Sequence, residues 1–158
     1  MASIAKWNTP ASWTAVTFTA SELNSLASGG GALSTGVISN SSNLDQFIDL
    51  SFVVTVGGTT TAASYITLFL LPLNQDGSTY GDNYASSTTT QPSAQYAAGS
   101  VGVKIGVTSG NTITGTVAGE MISPGDYKVA FGNNLGVALN ATSALTLKIR
   151  AFDTNLNA

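Results

Sequence analysis

With no histidine and no cysteine among its 158 residues, this chain is left with carboxylates, tyrosines, lysines or a bound metal for acid–base or nucleophilic chemistry. Ser–His and Cys–His nucleophiles, His-ligated zinc, thiolate metal sites and disulfides are all excluded. Two carboxylate pairs, Asp76 with Asp82 and Asp45 with Asp49, are close enough in sequence to approach the ~5–9.5 Å separation of a glycosidase pair. Both sit in or beside turns, where Asp commonly accepts from backbone N–H groups instead. Asp76-Gly77-Ser78-Thr79-Tyr80-Gly81-Asp82 also resembles a cation loop in outline. It lacks the closing Glu and the dense alternating acids of an EF-hand. The residues therefore predict no enzyme, no cofactor and no resident metal.

The same stretch is rich in groups suited to recognition. Tyr80, Tyr84 and Tyr96 lie near Asn74, Asn83 and Gln95, a combination that offers aromatic faces for sugar stacking and amides for hydroxyls. Tyrosine is equally favoured at protein–protein contacts, for its large area and low ordering cost. A third reading is that these rings pack only their own loop, and the sequence leaves all three open. Trp7, near the N-terminus, is either an interface anchor or a cap on its own core. Trp7, Tyr80, Asp82, Tyr84 and Tyr96 are the candidate partner-interface residues.

The element that must position this loop is Ser64 to Leu71, the most apolar segment of the chain. Side chains alternate across a strand, so Tyr65, Phe69 and Leu71 point one way and Ile66, Leu68 and Leu70 the other. A strand apolar on both faces needs cover on both, from a second sheet and from loops or a neighbouring subunit. Pro72 ends it and Asp76-Gly77 turns the chain. Upstream, Gln46 to Val56 alternates cleanly, with Ile48, Leu50, Phe52, Val54 and Val56 on one face and Asp49, Ser51 and Thr55 on the other. Phe47 and Val53 are apolar exceptions on that polar face. Gly57-Gly58 suggests that this strand and the next form an antiparallel hairpin.

Further strands are expected at 13–18, 32–39, 101–107, 112–117, 127–131 and 145–150, with Ser123-Pro124-Gly125-Asp126 as a type II turn. Residues 86–96 read as loop. Thr19-Ala20-Ser21-Glu22 fits a capping box that opens one short helix near residues 20–28, with Leu23 and Leu26 on one face. The whole reads as an all-β, antiparallel β-sandwich of jelly-roll type. Its domains are an N-terminal arm, 1–12, and a single sandwich domain, 13–158.

Charged residues make up 8% of the chain and the net charge is −3, against roughly 25% charged for ordinary globular domains. Five basic residues give no electrostatic footprint for nucleic acid. No apolar run is long enough to cross a bilayer, and the N-terminus is not a signal peptide, so synthesis in the cytoplasm is the expectation. A neutral Ser/Thr surface this poor in charge reflects either a threonine-rich sheet or a surface that an assembly covers.

Two segments resemble small virion proteins of tailed bacteriophages. Leu68-Phe69-Leu70-Leu71-Pro72-Leu73-Asn74-Gln75-Asp76-Gly77-Ser78-Thr79-Tyr80-Gly81-Asp82 is similar to their "YLLPSxDGxxYxD" stretch. The second runs from Pro124-Gly125-Asp126-Tyr127-Lys128 through Asn133-Asn134-Leu135-Gly136-Val137-Ala138-Leu139 to Leu145-Thr146-Leu147-Lys148-Ile149-Arg150-Ala151-Phe152. It is similar to their "PPGKYKFxxxNxTGxAL…NTLKLRPY" ending, with Ala151 where Pro is common. The strand from Asn43-Leu44 to Val54 fits as well, while the first 40 residues have no counterpart. The resemblance implies a structural role without catalytic residues, as a capsid decoration or cement protein on the virion exterior. It further implies the major capsid protein as partner, a homo-oligomer (trimeric by analogy), and no nucleic-acid or membrane partner. The alternative is a carbohydrate- or receptor-binding module of a head or tail fibre.

Overall fold

A computed structural model of the chain describes residues 4–84, 90–142 and 144–157. Eleven strands and one short helix follow in the order β1 (Ile4–Trp7), β2 (Thr14–Val16), α1 (Ala20–Leu23), β3 (Gly31–Leu33), β4 (Ile38–Ser39), β5 (Phe47–Thr55), β6 (Tyr65–Pro72), β7 (Ala97–Gly102), β8 (Thr112–Met121), β9 (Asp126–Asn134), β10 (Leu145–Phe152) and β11 (Thr154–Asn157). They form a four-stranded sheet, β2-β10-β5-β8, a five-stranded sheet, β3-β9-β6-β7 with β4 beside β9, and a separate two-stranded ribbon, β1-β11. Every pairing is antiparallel. The protein is an all-β sandwich.

The ladders are nested about the middle of the chain. β6 pairs with β7, β5 with β8, β3 and β4 with β9, β2 with β10, and β1 with β11. Folding this long double strand over on itself then adds the β5–β10 and β6–β9 ladders that complete the two sheets.

The core between the sheets is the one that the alternation predicts. Ile48, Leu50, Phe52, Val54 and Val56 are buried against Ile66, Leu68, Val129 and Phe131. The Phe52 and Phe131 rings meet edge-to-face across the layers, with centroids 6.3 Å apart, a favoured aromatic geometry. Close packing at the β7–β8 edge requires glycine. A Cβ on Gly115 would lie 2.6 Å from the Phe52 ring, and one on Gly99 would lie 2.8 Å from Val117.

Several expectations need correction. β5 and β6 are not a hairpin but lie in different sheets. The crossing segment is held by loops at the end of the sandwich, as Gly57 N–H donates to Ala138 O and Thr60 N–H to Val107 O. The helix is four residues long, and no side chain caps it. Glu22 reaches the Leu33 backbone N–H instead of Thr19. Ser25 then takes a left-handed φ of 59° while its N–H donates to Asn140 O, so long-range bonds end the helix before Leu26. The strand expected at 32–39 breaks into β3 and β4, because the Ser34 hydroxyl donates to Gly36 O and accepts from Val129 N–H. The strand expected at 101–107 occupies 97–102 instead, and Gly106 turns away with φ +80°. The arm at 1–12 is not free of strand, since β1 pairs along β11.

Candidate functional site

The loop after β6 is built inward. Leu33, Phe69, Leu71, Tyr80 and Ala130 form a second apolar cluster on the outer face of the five-stranded sheet, with Leu73, Tyr84 and Tyr96 packed against it. The outer face of β6 therefore receives the cover its sequence requires, and the cover is the chain's own loop. Tyr80, expected as an exposed contact, retains 8% of its accessible surface. Its N–H donates to Tyr84 O and Tyr84 N–H donates back to Tyr80 O. The Lys128 ammonium lies 5.2 Å from the centroid of its ring, within cation–π range. Burial, and then the nearby Asp126 charge, push the Tyr80 phenol up from its ordinary value.

The two carboxylates of this loop, Asp76 and Asp82, also have internal tasks. Asp76 Oδ1 accepts from the N–H groups of Ser78 and Thr79, and Oδ2 from the Thr79 hydroxyl at 2.6 Å. These bonds, the Thr79 hydroxyl foremost, hold its carboxyl down at about 2, as expected when hydrogen bonds favour the charged form. Asp82 accepts from Ser93 N–H at 2.6 Å and from the Ser93 hydroxyl at 3.0 Å, which fixes the turn that carries Tyr96. The Asp76 carboxylate is thus held in its charged form and not poised as a raised-pKa acid. Asp49 is likewise occupied, accepting from Arg150 Nε at 2.8 Å and from Gly119 N–H. Asp45 is pushed up by burial and then by the Asp153 charge. Among the described residues, no group of three or more His, Cys, Asp or Glu could hold a metal ion.

The second resembling segment is structural in the same way. The Tyr127 hydroxyl donates to Ser123 O at 2.9 Å and accepts from Ser123 N–H at 3.0 Å, closing the Pro124-Gly125 turn, where Gly125 takes φ +140°. Asn133 is fully buried. Its side-chain amide donates to Leu26 O and Val137 O and accepts from Leu135 N–H. Buried polar groups satisfied this fully fix one arrangement of the surrounding loops.

Tyr80, Tyr84, Asp82 and Tyr96 are thus brought together, as part of the fold. Trp7 is in the separate β1–β11 ribbon, where its backbone pairs with Thr154, and its ring lies outside the described side chains. Of the loop expected at 86–96, residues 85–89 lie outside the described residues. Thr90 bridges Gly30, and Ala94–Tyr96 forms a 3-10 turn.

The broad open surface is elsewhere, on the outer face of the four-stranded sheet. The register aligns Ala15, Lys148, Ser51 and Thr116 in one row and Thr146, Val53 and Thr114 in the next. Trp13 and Val53 keep 39% and 40% of their surface. Between them runs a shallow groove of about 360 Å³ lined by Ser51, Phe52, Thr146 and Lys148. The Arg150 guanidinium carbon sits 4.7 Å from the Trp13 ring centroid, so the cation that holds Asp49 also braces the indole. This face was missed as a site, although Val53 stood out in the sequence as an apolar exception on a polar face.

The chain matches no protein-family model, no curated protein and no solved structure.

Proposed function

We propose that this chain is a structural virion protein of a tailed bacteriophage, a capsid decoration or cement protein without catalytic activity. It binds the exterior of the shell across neighbouring subunits of the major capsid protein. The observation that carries this reading is the wide open face of the four-stranded sheet, threonine-lined around exposed Trp13 and Val53, with Lys148 beside them and the Arg150 charge paired with Asp49. Hydroxyls and methyls can be hidden against a partner without the desolvation cost of buried charge. The resemblance at residues 68–82 and 124–152 supports the same conclusion. So does the nested pairing of the strands, which agrees with the jelly-roll form that the resemblance implies.

Such a protein stabilises the shell by mass action, because it binds the assembled lattice and not free subunits. A homo-oligomer would repeat each contact and multiply a weak one. The carbohydrate-binding alternative loses ground, since Tyr80 is buried and Tyr84 and Tyr96 lean on the same cluster.

Cryo-electron microscopy of particles from the virus that encodes the chain tests the proposal. Density for this sandwich is expected at regular positions on the shell, with the Trp13 and Val53 face against capsid subunits. Its absence from intact particles, with the protein present only in the unassembled fraction, would overturn the reading.

A further inference from the structure

We infer that two copies of this chain pair edge to edge through β8, in antiparallel register about Gly115, joining their four-stranded sheets into one. Among the described residues β8 ends its sheet and pairs on one side only, with β5. At ten residues it is the longest strand of the molecule, whereas β2 at the opposite edge has three. Natural sheets blunt such edges with lysine, proline or an early bulge. β8 has no lysine, arginine or proline, and its bulge comes late, beside Gly119 with φ +71°. Seven consecutive residues, Thr112 to Ala118, are left as a regular neutral edge.

The direction of the free backbone groups follows from the bonds on the other side. Asn111 O accepts from Val56 N–H and Gly115 O from the Ser51 hydroxyl, so the odd-numbered residues face β5. Alternation in an antiparallel ladder turns the N–H and C=O of Thr112, Thr114, Thr116 and Ala118 to the open side. All four residues are solvent-exposed.

The occupant is identified by what the strand offers itself. With Gly115 opposite its own copy, Thr114 faces Thr116 and Thr112 faces Ala118, each pair exchanging backbone bonds. Ile113 faces Val117 on the side of the core. Threonine pairs and β-branched apolar pairs are favourable across strands. The only charge on the strand, Glu120, falls opposite Gly110, so no like charges meet. Any partner strand carrying charge would lack this match. The inference does not depend on the capsid reading, since a chain that pairs with itself but is missing from particles would fail only the latter.

Sedimentation equilibrium of the full chain at tens of micromolar is the test. The expected mass is twice the 16.0 kDa of one chain. Thr114→Lys with Thr116→Lys in one chain sets lysines opposite each other and is expected to weaken the dimer at least tenfold. Thr114→Glu with Thr116→Lys sets Glu opposite Lys and is expected to restore it, because the register pairs these positions. Should the double-lysine chain fail to fold, Thr114→Pro gives the same reading, since it removes only an edge donor. A monomeric wild type, an oligomer indifferent to these changes, or a Glu/Lys chain no better than the double-lysine one would each overturn the inference.

Discussion

The two sheets of this sandwich treat their outer faces in opposite ways. On the five-stranded sheet, Phe69, Leu71, Leu33 and Ala130 form an apolar face that residues 73–84 and 90–96 cover completely. On the four-stranded sheet, Ser51, Thr114, Thr116 and Thr146 form a hydroxylated face around Trp13 and Val53, with the stacked Phe47 and Phe152 rings at one end, and Val53, Thr114, Thr116 and Thr146 remain exposed. Apolar area is buried by whatever lies within reach along the chain, and for β6 that is its own following loop. A face that hydroxyls have made tolerable to water stays open. An aromatic-rich loop beside a buried strand is therefore weaker evidence of a binding site than an isolated valine among threonines.

This contrast can be broken or sharpened by mutation. Phe69→Ala is expected to cost about 3–4 kcal/mol in urea unfolding, against under about 0.5 kcal/mol for Val53→Ala on the open face. Similar losses at the two positions would erase the distinction. Next in size, Arg150→Met leaves the Asp49 carboxylate, 6% exposed, with only the Gly119 N–H, and should cost about 2–3 kcal/mol. Most of that loss should return when Asp49→Val is added. Asp82→Ala frees the Ser93 turn and should cost about 1 kcal/mol, with faster amide exchange at Tyr80 and Tyr84 but not in β5.

Two pH experiments report smaller effects. Asp76 titrates at about 2 when folded, below the unfolded value. Its contribution is therefore present above the unfolded pKa of roughly 3.9 and lost as pH falls through the folded one. Carboxyl-carbon NMR should show its midpoint near 2 and shift the Ser78 and Thr79 amides with it. A midpoint near 4 would mean that the turn is open in solution. Glu22 is displaced the other way, raised by burial despite the Leu33 N–H and the Lys128 charge, and its Oε2 has no hydrogen-bond partner. A raised folded pKa favours the native state below the unfolded pKa and loses that advantage as pH rises through the folded value. Glu22→Gln should accordingly raise the melting temperature slightly at pH 7, with the gain gone at pH 4.

Much of the fold was legible in the residues. The alternation of β5 identified five core positions, all of which are buried, and the double-sided apolarity of β6 announced a second layer. What local pattern misread were the places where distant bonds intervene. The capping box at Thr19 and Glu22 failed because Leu33 N–H claimed the carboxylate. The β5–β6 hairpin failed because a Gly-Gly turn fixes a reversal but not the sheet to which the next strand is added. The exposure expected of Tyr80 failed for a related reason. Tyrosine, aspartate and asparagine in a turn look the same whether they face a partner or the sheet beneath them.

By itself the sequence determined the chemistry this protein lacks, the period of its strands and the faces that had to be hidden, since these depend on residue type and on neighbours two positions away. Only the tertiary structure decided that the tyrosine loop folds back as cover, that Asp49 and Arg150 meet from strands a hundred positions apart, and that β8 ends a sheet. Those outcomes depend on which strands become neighbours, and strand pairing is selected by the burial of the whole core rather than by any one segment.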